Sequence, residues 1–151
     1  MRIGTFHEFE PIDYLVEGKH CVDVAFLLKD GQDKMEKNYP MRNLLALGIE
    51  LLLKGVIQKY NARKFNEIKK KSGITHNIEK LYEIASEVDR SNNLNILTNN
   101  ELKSAIFKHT SKYYPDTVKA RYTNTDSFLD FTLFIILREL LIQPLEKIIH
   151  L

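Results

Sequence analysis

Residues 43–60 read NLLALGIELLLKGVIQKY, and the fold turns on how this stretch distributes its apolar side chains. Wound as an α-helix, it spreads Leu44, Leu45, Ile49, Leu51, Leu52, Leu53, Val56 and Ile57 over most of its circumference. The polar remainder is a single stripe of Asn43, Glu50, Lys54 and Gln58, all within about a quarter-turn of one another. A helix that is apolar nearly all round has to be wrapped by others, which makes it the central helix of a bundle. Two readings of the stripe stay open. One is a thin solvated seam with a Glu50–Lys54 pair worth about 0.2 to 0.5 kcal/mol; the other is a polar line facing a cleft. Gly48 and Gly55 share a face, and each costs about 1 kcal/mol against alanine inside a helix. That cost predicts the close approach of another helix, from the same chain or from a second copy.

Toward the N-terminus, Pro11 suits a first helical turn, and Leu15, Cys21, Val22, Ala25 and Phe26 recur at helical spacing to about Lys29. Residues 31–37 are charged and lack that spacing, and Pro40 disfavours helix at Tyr39, so a connection is expected there. Beyond the central stretch, residues 59–71 (KYNARKFNEIKKK) set six basic residues against one acid, Glu67. This segment is a short helix or a mobile crossover, and either a solvated charged surface or a phosphate-contacting patch. Thr75-His76-Asn77 offers a capping residue for a third helix carrying Ile78, Leu81, Ile84, Ala85 and Val88. A loop follows over residues 90–95. Thr98 with Glu101 forms a capping box for a fourth helix that reaches about Tyr113. Pro115 ends that helix, and a final one runs from Asp126, with a kink or break expected at Pro144. No strand alternation occurs anywhere. The fold class is therefore all-α, an up-and-down bundle of four to five antiparallel helices.

A chain of 151 residues with 44% hydrophobic content can bury about two-thirds of its unfolded surface in one core, so residues 1–151 are read as a single domain. The formal net charge of +2 removes any argument from bulk charge for nucleic-acid or membrane binding and leaves only local clusters. One cysteine, Cys21, allows no internal disulfide and fits a reducing compartment. The N-terminal residues lack the apolar core of a signal peptide. The most apolar run, residues 128–142, is too short to span a bilayer and carries Asp130, Arg138 and Glu139. A cytoplasmic protein without a membrane association is the expectation.

The five histidines are scattered without the spacing of helical metal ligands, and no phosphate-binding glycine loop or nucleophile elbow is present. No metal and no cofactor are expected. The most suggestive stretch is residues 108–126, where Lys108, His109, Lys112, Lys119 and Arg121 interleave with Tyr113, Tyr114 and Tyr122. Aromatic faces stack on bases while cations meet phosphates, the mixture a single-stranded RNA or nucleotide groove uses. A tyrosine-rich loop folded onto the bundle end is the competing reading.

Three strings, taken in order, resemble the HEPN superfamily, small all-helical domains found with nucleotidyltransferases, in toxin–antitoxin pairs and in RNA-cleaving enzymes. They are GIELLLKGVI with Glu50 and Lys54; Thr75-His76-Asn77-Ile78 with Leu81, similar to the family's glycine-histidine-aspartate-leucine helix start; and Ala120-Arg121-Tyr122 ahead of the last helix. The resemblance spans residues 14–145. It implies a homodimer, a nucleotidyltransferase-like protein partner or an RNA or nucleotide ligand, and candidate ligand-binding residues Glu50, Lys54, Lys112, Tyr113, Tyr114, Arg121 and Tyr122. HEPN ribonucleases place a histidine after an arginine with four to six residues between. From Arg121 those positions hold Asp126, Ser127 and Phe128. Without that histidine the usual proton transfer at the ribose 2′-hydroxyl loses its agent, so a non-catalytic binding or regulatory module is expected. The alternatives are a diverged metal-independent ribonuclease using Arg121 with His109 or Asp126, and a purely structural dimerisation domain.

Overall fold

The computed structural model describes residues 11–28, 39–113 and 131–149. Among them every regular element is helical. The order is α1 (Pro11–Leu28), α2 (Tyr39–Tyr60), α3 (Ala62–Ile68), α4 (Ser72–Thr75), α5 (Ile78–Ser91) and α6 (Asn100–Tyr113). Then come α7 (Phe131–Leu137), a π-helical turn (Arg138–Ile142) and α8 (Gln143–Ile149). No helix among the described residues is long and apolar enough to cross a membrane.

The central stretch is α2, which packs against α1, α3 and α5. Met41, Leu45, Ala46, Ile49, Leu52, Leu53, Val56 and Ile57 on it are all buried, which is why the helix is apolar on so many sides. The glycines face α1 of the same chain. A Cβ on Gly48 would lie 3.0 Å from the Gly18 carbonyl oxygen, and one on Gly18 would lie 2.9 Å from the Leu52 nitrogen. Backbone therefore meets backbone, and neither position has room for a side chain. A Cβ on Gly55 would come within 2.7 Å of Leu15. The contacts Leu15–Gly55, Gly18–Leu52 and Val22–Gly48 run in opposite directions along the two helices, so α1 and α2 are antiparallel. The spacing of the glycines predicted a close helix, and the partner is intramolecular.

The far side of α1 takes the last helical segment. Phe26 meets Phe134 edge to face at 5.6 Å, Arg138 lies 5.1 Å from the Phe26 ring centroid, and its guanidinium is 3.6 Å from Asp23. Lys19 pairs with Glu146 one turn farther along each helix. Pro144 lacks an N–H and its ring would crowd the Leu140 carbonyl in a regular helix. The chain accommodates it with the π turn, in which the Gln143 N–H donates to the Arg138 carbonyl. The expected kink is thus a widened turn just before the proline.

Two local expectations change. The segment after α2 forms a defined helix, α3, because the Asn61 side chain accepts from the Lys64 N–H at 3.0 Å and Phe65 and Ile68 are buried beneath it. The cap of α6 is Asn99, whose side chain accepts from the Leu102 N–H at 3.1 Å, and not Thr98, which is exposed. Asparagine and threonine compete for the same role, and the one-residue shift buries Leu102 and Ile106 together.

Candidate functional site

Glu50 and Lys54 sit one turn apart on α2, at 3% and 8% exposure. The solvated-seam reading of this stripe is overturned here, since α3 and the turn into α5 fold across it. Asn61 starts the reversal, and Phe65 and Ile68 anchor α3 on the core. The Thr75 hydroxyl lies 3.0 Å from the Ile68 carbonyl and 2.9 Å from the Lys71 carbonyl, so the end of α4 is tied back to α3. Asn77 then caps α5 by accepting from the Lys80 N–H at 3.0 Å. These contacts set His76 above Glu50.

The result is a three-residue polar cluster. Glu50 Oε2 accepts from Lys54 Nζ at 3.0 Å, and Glu50 Oε1 lies 3.1 Å from His76 Nδ1. The imidazole side chain is 45% exposed while the carboxylate side chain is 4% exposed, so a buried acid orients a ring that still reaches solvent. A carboxylate bonded to one ring nitrogen fixes the tautomer and presents the other nitrogen outward. Next to the cluster is a cavity of about 60 Å³ lined by Tyr14, Lys54, Phe65, Ile68, Lys69 and Thr75. On the opposite face of α3, Arg63, Asn66, Glu67, Lys70 and Lys71 line a shallow groove of about 690 Å³.

Of the residues read as site candidates from sequence, the structure brings Glu50 and Lys54 together. His109, Lys112 and Tyr113 fall in the last turn of α6. Tyr114, Arg121, Tyr122 and Asp126 lie outside the described residues. Sequence reasoning missed the contact of His76 with Glu50 and the contributions of Lys69 and Thr75. It also missed two buried charges, Arg42 at 1% exposure, which is partnered, and Asp89 at 0%.

Asp89 is a structural acid. Its Oδ1 accepts from the Asn95 N–H at 2.9 Å, and its Oδ2 accepts from the Ile96 and Leu97 N–H groups at 2.9 and 2.5 Å. The loop that supplies these donors turns through Asn93 and Asn95 at φ of 55° and 58°, the left-handed region asparagine tolerates better than most residues. Tyr82 closes the corner by donating to the Leu97 carbonyl at 2.6 Å. Burial, and then the Asp89 charge, push its phenol well above the usual tyrosine range. Burial, and then Glu17, likewise push the Cys21 thiol up, which makes it a poor nucleophile at neutral pH.

Among the described residues no group of three or more histidine, cysteine, aspartate or glutamate side chains could hold a metal ion. No family model, curated protein or solved structure matches this chain. The HEPN resemblance therefore rests on the three short strings, of which two, around Glu50 and around His76, meet in the polar cluster.

Proposed function

We propose that this chain is a HEPN-like helical binding or regulatory module that engages a phosphate-bearing ligand, RNA or a nucleotide, without cleaving it. In this reading it works as a homodimer alongside a nucleotidyltransferase-like protein. The observation that carries the reading is Lys54, an ammonium held by Glu50 beside a small cavity whose rim adds Lys69. Burying an ion pair stabilises a fold weakly when it stabilises it at all, so a retained buried pair at a cavity is better explained by what the cavity receives. Arg121 belongs to the same proposal, because a guanidinium can hold a phosphate by two parallel hydrogen bonds whether or not a catalytic base stands beside it.

The test is fluorescence anisotropy of a labelled single-stranded RNA at low and at physiological salt, with gel analysis of the same samples. The expected result is binding that weakens steeply with salt and RNA that stays intact. Arg121→Ala should weaken binding without unfolding the domain. No binding at low salt would remove the reading. Light scattering checks the dimer.

One observation favours a second reading, a diverged metal-independent ribonuclease. Glu50 orients His76 in the manner of a carboxylate supporting an acid–base imidazole, so His76, and not His109 or Asp126, would supply proton transfer. RNA cleavage by the purified protein that disappears in His76→Ala would establish it.

A further inference from the structure

We infer that the cavity beside Lys54 is an oxyanion site that receives the terminal phosphate of the ligand, a phosphomonoester end and not an internal phosphodiester. This rests on the reading of the protein as a phosphate-ligand module and names what its buried lysine contacts.

The argument begins with donors. A lysine ammonium carries three N–H groups and no acceptor. Lys54 spends one of them on Glu50, at 3.0 Å, its one hydrogen-bond partner among the described residues. Its side chain is only 10% exposed, so bulk solvent does not satisfy the other two. Lys54 lines the cavity, and a buried charged donor without an acceptor is costly. Something with oxygen acceptors belongs there.

Charge and size then narrow the choice. Glu50 balances Lys54 from behind, and Lys69 at the rim leaves the cavity with a positive surplus. Thr75 is occupied with the Ile68 and Lys71 carbonyls and serves to hold the wall in place. The remaining lining, Tyr14, Phe65 and Ile68, is largely apolar, so the two lysines are the groups that can meet an anion. A volume of about 60 Å³ exceeds the roughly 10 to 15 Å³ a single water needs. It admits one tetrahedral group and excludes a base or a sugar. An internal phosphodiester brings a sugar on each side and cannot enter, whereas a terminal phosphate can, with the rest of the ligand remaining outside.

The full chain is tested with one short single-stranded RNA prepared with and without a terminal phosphate, and with inorganic phosphate as competitor. The phosphorylated RNA should bind about tenfold tighter or more, the gain expected of one or two charge-assisted hydrogen bonds. Inorganic phosphate should remove that advantage and raise the melting temperature of the free protein. Lys54→Met should abolish the preference. Because loss of Lys54 can destabilise the fold, Lys69→Gln is the second variant; it is exposed, should melt like the parent, and should reduce the preference to about threefold or less. Equal affinity for the two RNAs in the parent would mean that water alone fills the cavity, removing this inference while leaving the binding module standing. A preference unchanged in both lysine variants would put the phosphate elsewhere and overturn the inference as well. Failure to bind either RNA would remove both.

Discussion

Glu50 and Asp89 are carboxylates on the inner faces of neighbouring helices, at 3% and 0% exposure, and their surroundings use them in opposite ways. Asp89 is answered by three backbone N–H groups from one loop, with Tyr82 bonded to the last residue of that loop. Nothing in that corner is left to give. Glu50 is answered by two side chains, and each of them retains something: Lys54 has donors beside a cavity, and His76 has a ring that reaches solvent. Backbone partners make a buried acid part of the scaffold. Side-chain partners with capacity to spare make it part of a site.

The sharpest way to break this comparison is to neutralise each acid with its own amide. Asp89→Asn sets an amide donor against a loop that offers only donors, so a loss of about 2 to 3 kcal/mol is expected from urea melts. Glu50→Gln keeps an acceptor for Lys54, whose ammonium can turn to water in the cavity, and should cost about 1 kcal/mol. Equal losses at the two positions would show that the corners do not differ in kind. The seam between α1 and α2 supplies a purely steric reference, where Gly55→Leu should cost about 1 to 3 kcal/mol by overpacking Leu15. An unchanged melting temperature in that variant would mean that the seam can open.

A pH series separates the corners further. The Tyr82 phenol is raised above its ordinary value of 10.0, so the folded state holds its proton after the unfolded chain has lost it. The stability it contributes is fully present below pH about 10 and is lost as the pH climbs toward the folded value. Tyr82→Phe should cost about 1 kcal/mol at neutral pH, through the Leu97 carbonyl left without its donor, and should show a shallower alkaline decline. Tyr60, also raised by burial, is retained in both proteins and cancels. Parallel alkaline profiles would show that Tyr82 is not the group responsible.

The smallest effect on folding is expected at the basic edge. Lys69, Lys70 and Lys71 are exposed, so their joint reversal to glutamate should move stability by no more than about 0.5 kcal/mol. The same protein should lose affinity for phosphorylated RNA in the anisotropy assay. Retained affinity would confine the site to Lys54.

Helical periodicity was enough to identify the central helix, and the cost of glycine inside it announced a close neighbour before α1 was seen to be that neighbour. Capping chemistry was legible to within a residue, failing only where Thr98 and Asn99 compete. These features are local, because a cap, an apolar face or a glycine acts within a few residues of itself. Which side of α2 is covered is not local. The Glu50–Lys54 spacing reads the same on a solvated helix and on a buried one, and it was the packing of α3 through Phe65 and Ile68 that put the pair inside. His76 stands 26 residues from Glu50, and no spacing rule joins them. Their contact exists because Asn61, Thr75 and Asn77 steer the chain back across α2. Asp89 likewise looks like an ordinary acid near the end of α5 until the loop at Asn93 and Asn95 turns its N–H groups inward. The sequence by itself determined the helices and their apolar faces, because these depend on neighbours along the chain. Which polar groups meet, and whether they meet sealed or open, only the tertiary structure decided, because that depends on the path of the turns and on what packing excludes from water.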